Sequence, residues 1–300
     1  MDAAEIAEVS DLLHDAWVAD GTRPLNDHLW LDLREGGRRG FAGVLARQDH
    51  HDHLLGYCQV SRGNESWSLD VVVHPHHRYD FSDIAPHLVA SALDIVAGEG
   101  GGHVHWWIFE PNQTHHRLAD QAGFAPGRRL VQMRRELPLE PALSSLSHDF
   151  EVRPFVDGHD EEAWLRVNNA AFASHPEQGG WTPDVLASRK QEPWFDPNGF
   201  LLHFEGDDLA GFCWTKVHDE PSMRIGEIYV IAVDPRYSGR GLGTKLAVAG
   251  LNHLASVGVD AAMLFVDESN QPAITMYQSL GFTVHHVEHA FIRDVAAAPS

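Results

Sequence analysis

The sequence predicts an α/β protein of two tandem units, each a mixed, mainly antiparallel sheet flanked by helices. Three observations predict it. The chain has 300 residues, 43% of them hydrophobic, which is enough for two ordinary cores. Its halves repeat one another in order: Gly56-Tyr-Cys matches Gly211-Phe-Cys, Val71-Val-Val-His-Pro75 matches Ile231-Ala-Val-Asp-Pro235, and Asn112 and Gly123-Phe124 match Asn270 and Gly281-Phe282. Each match lies about 155–160 residues from its partner, a domain-sized period rather than that of a short-repeat solenoid. Within each half, apolar residues recur first at helical and then at strand spacing.

In the first half, residues 4–20 and 25–34 have helical spacing, and the runs at 54–60 and 69–73 are strand-like. The Pro- and Ser-bearing stretch 137–147 marks a turn-rich connection, so the expected division is 1–140, a linker at 141–149, and 150–300. The second half predicts helices over 161–173 and 182–189, the latter opened by Thr182 as N-cap and Pro183 at the first helical position. Strands follow at 199–205, 209–218 and 225–233, then a helix over 241–257, a strand at 261–266 and a helix over 270–280 stopped by Gly281.

The chain carries 22 basic against 43 acidic residues, a net charge of −21, which disfavours nonspecific attraction to nucleic acid or an anionic membrane. No apolar run approaches the roughly 18–20 residues of a membrane span. The N-terminus carries acid where a secretory signal carries base, so a cytoplasmic protein is expected. Cys58 and Cys213 sit in strand-like runs without a local base, which suits buried reduced thiols better than reactive ones. Histidine is frequent, at 22, and the clusters 49–53 and 74–77 invite a metal reading. Both are tight runs without the helical spacing that converges ligands, so solvated loops and no metal are expected.

The chemistry concentrates in the second half. The strand Ile228–Val233 runs through Asp234-Pro235 into Ser238-Gly-Arg-Gly-Leu-Gly243 and a helix from Thr244. Glycines let several N–H groups converge, and a new helix adds its positive end, which together cradle a diphosphate. A Gly-rich helix entry can also be only a tight turn. Acyl transfer to an amine needs a deprotonated nucleophile, oxyanion stabilisation and a proton for the leaving group. Glu227 begins the strand that ends at the turn, and period-two alternation puts it on one face with Tyr229, Ile231 and Val233. A carboxylate there can take an amine proton, or it can be an ordinary strand glutamate.

The turn, its strand, Asn270 and Tyr277 together resemble the GNAT superfamily of N-acetyltransferases, whose turn reads Gln/Arg-x-x-Gly-x-Gly/Ala before a helix. Ser238 departs from the first position of that pattern. The resemblance implies acetyl-CoA in a splayed sheet, with Ile231, Ala232 and Val233 pairing to the pantetheine arm. Ser238, Gly239, Arg240, Gly241, Leu242, Gly243 and Thr244 would hold the pyrophosphate, with Asn270 also on the cofactor. It further implies Glu227 as general base and Tyr277 as the acid that protonates the thiolate, with aromatic packing as the plain alternative for Tyr277. In the first half the turn reads His76-His-Arg-Tyr-Asp-Phe-Ser-Asp83, without glycine. Trp67 and Ala119 stand where Glu227 and Tyr277 do, so a degenerate, noncatalytic first unit is expected.

Longer segments, Leu165 to Thr182, Trp194-Phe-Asp-Pro197, Gly211 to His218 and Gly226 to Val230, resemble the mycothiol synthases, tandem GNAT enzymes of actinobacteria. That resemblance implies a small-molecule acceptor, the cysteinyl amine of a cysteinyl-glucosaminyl-inositol. Asp27, Glu177, Lys216, Glu227 and Phe265 would be its contacts, Phe265 replacing a tyrosine. A monomer with no nucleic-acid or membrane partner is expected. Another small amine, such as an aminoglycoside or peptide terminus, and a noncatalytic acetyl-CoA sensor are the competing readings.

Overall fold

The computed structural model describes residues 1–21, 23–25, 27–34, 40–48, 53–63, 66–173, 179–220 and 223–298. The chain divides into two compact units, residues 1–129 with 288–300, and residues 130–287.

The first unit opens with α1 (Ala3–Asp20) and α2 (Asp27–Arg34). Asp2 and Glu5 form a capping box at the start of α1, and left-handed Gly21 ends it. Val9, Leu12, Leu13 and Ala16, at helical spacing, give α1 its buried face. Strands β1 (Phe41–Ala46), β2 (Gly56–Arg62) and β3 (Trp67–Val73) pair antiparallel in sequence. A 3-10 turn over Pro75–Asp80 leads into α3 (Phe81–Gly98), then β4 (Gly102–Phe109) parallel to β3, and α4 (Gln113–Gln121). Trp67, Leu69, Leu88, Val89 and Trp106 lie in the core under α3.

β5 (Ala125–Glu136) crosses into the second unit, where α5 (Pro141–Ser144) and β6 (Arg153–Pro154) follow. Next come α6 (Glu161–Ala171), α7 (Pro183–Lys190), β7 (Phe200–Glu205), β8 (Asp208–Glu220) and β9 (Met223–Val233). A 3-10 turn at Pro235–Tyr237 opens into α8 (Leu242–Ser256), followed by β10 (Ala261–Asp267), α9 (Gln271–Ser279) and β11 (Thr283–Val295). The second sheet runs β5-β10-β9-β8-β7-β6, with only the β9–β10 pair parallel. One face is covered by α8 and α9 through Leu246, Leu251, Leu254 and Ile274, with Phe282 packed beside them. The other carries an aromatic core of Trp164, Trp181, Phe200, Phe212 and Trp214, in which Phe200 and Trp214 stack with centroids 4.3 Å apart.

Both units therefore follow one order: two helices, three antiparallel strands, a 3-10 turn, a helix, a parallel strand and a helix. The final strand of each sheet comes from the other half of the sequence. Residues 288–295 of β11 pair antiparallel with β4, and residues 130–136 of β5 pair antiparallel with β10. Arg293 of β11 donates to the Ala122 carbonyl at the end of α4, and Arg135 of β5 makes the equivalent bond to Leu280 at the end of α9. The compact units thus divide at 129/130 and 287/288, whereas the turn-rich stretch suggested a linker at 141–149. That stretch is helical and docked on α8: the Ser144 hydroxyl donates to Asn252 Oδ1 at 2.9 Å, and Asn252 Nδ2 donates to the Ser147 hydroxyl at 3.1 Å. No helix among the described residues is long and apolar enough to cross a membrane.

Candidate active site

Glu227 lies on β9, buried, directly opposite Lys216 of β8. Across an antiparallel pair the two side chains share a face. Lys216 is also buried, with Nζ 4.8 Å from the Trp194 ring centre and 5.7 Å from that of Tyr229, so its charge is spread over two aromatic faces. His218, two residues further along β8 on the same face, brings Nε2 to 2.6 Å from Glu227 Oε2. Carboxylate, imidazole and ammonium thus cluster at one point of the sheet. His218 was not among the expected site residues, and its signal was present: two positions from Lys216 on a strand whose partner carries Glu227.

A bulge changes the expected alternation. Trp214 pairs with Val230 while Thr215 pairs with Ile228, so Tyr229 is the extra residue on β9. Before the bulge, Ile228 packs on the α8 side and Glu227 faces the opposite way; beyond it, Ile231 and Val233 pack on the α8 side, while Val230 and Ala232 join the aromatic core. Glu227 keeps the face of Tyr229, but Ile231 and Val233 lie on the other, correcting the period-two expectation. Among the described residues, the pairing of β9 with β10 stops at Gly226–Ala262 and Glu227–Met263, although β9 continues to Val233 and β10 to Asp267. From Ile228 onward the parallel strands part, leaving the backbone edge of residues 228–233 facing a gap.

That edge leads into the glycine turn. Buried Asp234 accepts from the Arg236 amide and is held by the Arg236 and Arg166 guanidiniums, with Arg236 foremost in keeping its carboxyl below the usual range. Gly239 and Gly241 take φ of 78° and 76°, and a Cβ at either would meet nothing within 4 Å. Left-handed backbone with open space beside it is the form of an anion cradle. No side chain caps α8, so the amides of Leu242, Gly243 and Thr244 have no intrahelical acceptors. Ser238 is extended, Arg240 Nη1 lies 2.9 Å from Glu205 Oε2, and Lys245 Nζ is 5.6 Å from the Phe150 ring centre.

Tyr277 is buried on α9 among residues that pack against α8 and β10. Burial foremost, with the neighbouring Cys213 thiol adding to it, pushes its phenol well above the ordinary value. Burial also raises the Cys213 thiol to about 12, so this free cysteine is an inert core residue. Asn270 accepts from Ala273 N at 3.2 Å as the N-cap of α9. Phe265 is half-exposed on β10 opposite Gln132. Asp27 begins α2, and Glu177 falls outside the described residues.

The chain matches a family model described as "Acetyltransferase (GNAT) family" over residues 164–282. It is 43% identical over 268 residues to mycothiol acetyltransferase of Thermobispora bispora, covering 88% of each chain. It is 41% identical over 301 residues to that of Geodermatophilus obscurus, covering 98% of this chain and 96% of the relative. The chain belongs to the mycothiol acetyltransferase family. Two solved structures share the fold along their length. A GCN5-related N-acetyltransferase from Sphaerobacter thermophilus has a TM-score of 0.71 at 23% identity, covering 100% of this chain and 96% of its own. A tandem GNAT protein of the clavulanic acid biosynthesis pathway has a TM-score of 0.67 at 14% identity, covering 100% and 97%. The chain is accordingly a tandem GNAT enzyme of the N-acetyltransferase type, and the mycothiol acetyltransferase family supplies the frame for its glycine turn and Glu227 cluster.

The first unit differs at both places. Its 3-10 turn at Pro75–Asp80 passes straight into α3, with no positive-φ residue between 75 and 83. Trp67 is buried and donates its indole N–H to the Gly101 carbonyl at 3.2 Å, and Ala119 is fully buried on α4. Asp83 lies in the first turn of α3, where an incoming phosphate would meet like charge. The solvated-loop expectation for the second histidine run is corrected: His74 and His77 are buried. Asp49–Asp52, most of the first run, lies outside the described residues.

Proposed function

We propose that the second unit transfers the acetyl group of acetyl-CoA to the cysteinyl amine of desacetylmycothiol, the cysteinyl-glucosaminyl-inositol, releasing mycothiol and CoA. The observation that carries the mechanism is the buried Glu227, bonded to His218 and facing Lys216, at the point where β9 parts from β10. The residues around it fit acetyl-CoA. The free edge of Ile231, Ala232 and Val233 offers hydrogen bonds to a pantetheine amide chain, and the amides of 239–244 offer a cradle for the pyrophosphate. When bound, acetyl-CoA supplies an activated acyl group on a thiol leaving group.

Glu227 accepts the proton of the acceptor ammonium, leaving the nitrogen lone pair for the new N–C bond, and His218 steadies the carboxylate and carries the proton onward. As the C–S bond breaks, Tyr277 delivers its phenolic proton to the thiolate; burial keeps that phenol protonated until needed. Lys216, Glu227 and Phe265 hold the acceptor, with Glu177 a further contact by resemblance. A polyhydroxyl acceptor with one ammonium suits such carboxylates and a lysine donor. By the same reading the first unit, without the cradle, the carboxylate or the phenol, is noncatalytic.

The test is incubation with acetyl-CoA and the cysteinyl-glucosaminyl-inositol amine, following CoA thiol release for wild type, Glu227→Gln and Tyr277→Phe. Turnover that falls in both variants is expected. Absence of turnover with that amine would overturn the acceptor, and undiminished rates in both variants would overturn the mechanism.

A further inference from the structure

The two histidine runs of the first unit come together in space. One ligand nitrogen from each of His53, His74 and His76 lies within 4.8 Å of the others. His53 stacks on His74 with ring centres 4.2 Å apart, and its Nε2 is 3.0 Å from Nε2 of His77. His74 is buried, while His53 and His76 are exposed, so the group opens to solvent on one side. Imidazole nitrogens this close together form a set that one cation can bridge. Nitrogens bound tetrahedrally at zinc distances sit roughly 3.3 Å apart, a small closure from the geometry seen.

His74 has the surroundings of a metal ligand. Its Nε2 is 3.2 Å from Asp15 Oδ2, and its Nδ1 accepts from the His76 amide at 3.2 Å. The carboxylate therefore fixes the tautomer with the proton on Nε2, and the Nδ1 lone pair is the one a cation takes in place of that amide. A carboxylate behind a ligating imidazole raises its basicity and locks its ring.

We propose that His53, His74 and His76 form a site for a divalent transition metal of the zinc type, with Asp15 orienting His74 and a water completing the shell. His74 and His76 lie between β3 and α3, in the stretch that corresponds to the lead into the glycine turn of the second unit, and His53 joins them from just before β2. Where one repeat presents amides to an anion, the other presents imidazoles to a cation.

The experiment uses the full chain without an affinity tag, titrated with zinc chloride by calorimetry and with cobalt(II) by visible absorption. One zinc per chain is expected, together with the visible bands of a low-coordinate cobalt site. Replacing the two exposed ligands, His53→Gln with His76→Gln, is expected to weaken zinc more than about tenfold and abolish the cobalt bands. A control replacing His148 and His285, exposed and outside the cluster, should leave both unchanged, and melting of the metal-free proteins should coincide. Zinc bound equally well by the His53/His76 variant, or no saturable binding by wild type, would overturn the site.

Discussion

His218 Nε2 and Glu227 Oε2 lie 2.6 Å apart across the β8–β9 pair, on the face that also carries Lys216. A bond this short between an imidazole and a buried carboxylate makes the two one proton-handling unit, so their removal should not be additive. Glu227→Gln is expected to lower kcat by about 10²–10⁴-fold, the usual range for a positioned general base. His218→Ala should cost roughly tenfold, and the double variant should be no slower than Glu227→Gln alone. Acetyl-CoA affinity, measured by calorimetry, should stay within about twofold of wild type for all three, because neither residue belongs to the cradle. Losses that multiply in the double variant would show that His218 acts independently of the carboxylate.

Tyr277 lies in a core that raises its phenol, so it stays protonated at pH values where a free tyrosine begins to ionise, near 10. A raised value means that the neutral, donating form persists as pH rises. Tyr277→Phe should therefore lower kcat by about 10²-fold at neutral pH. The wild-type rate should show no alkaline decline from this phenol below about pH 10. The phenylalanine keeps the ring packed against Phe282, so the thermal midpoint should hardly move. An unchanged rate would reduce Tyr277 to a packing residue.

Most helices and strands of the second unit were legible because their signals are local. Thr182-Pro183 caps α7, Gly281 follows the C-cap of α9, and the expected strands fall within two residues of β7, β8, β9 and β10 at every end. What was not legible depends on partners distant in sequence. The alternation along β9 reads correctly from Glu227 to Tyr229 and then inverts, because the bulge shows only in the register with Trp214 and Thr215. The exchange of β5 and β11 is invisible for a related reason. Prolines and serines at 137–147 mark where the chain turns, not which sheet a neighbouring strand joins. The convergence of His53 with His74 and His76 likewise needs the antiparallel β2–β3 pairing, which brings the ends of two separate runs together.

Gly239 and Gly241 separate backbone conformation from steric fit. Both have positive φ and open space, so alanine costs only the left-handed penalty of about 1–2 kcal/mol. Gly241→Ala should lower the unfolding free energy by roughly that amount and weaken acetyl-CoA by about tenfold as the amides turn away. The acceptor KM should be little changed. Gly226→Ala offers the contrast: its Cβ would lie 2.7 Å from Leu254 Cδ2, so it should destabilise by displacing α8 rather than by backbone strain. Denaturant unfolding with acetyl-CoA calorimetry checks both; a Gly241→Ala protein with intact cofactor affinity would remove this turn from the site.

Asp160 anchors the start of α6 to β6, accepting from Arg153 Nη1 and Nη2 at 2.6 and 2.7 Å and from the Val156 amide at 2.8 Å. Burial pushes its carboxyl upward, but the Arg153 bonds, His159 and the Val156 amide outweigh it and hold the group well below the usual carboxylate range. A lowered folded-state value means that the stabilisation is complete above the unfolded value, near 4, and is lost as pH falls from there toward the folded one. Asp160→Asn should therefore destabilise the second unit by roughly 2–3 kcal/mol at pH 7, the range for hydrogen bonds to a charged group. The gap between variant and wild type should narrow steadily below about pH 4, as the unfolded wild-type chain takes up the proton that the folded Asp160 still refuses. Urea unfolding of both proteins at pH 7 and pH 3 measures this directly. A gap of equal size at the two pH values would mean that the Asp160 charge contributes nothing, and that shape and neutral hydrogen bonds alone hold α6 against β6.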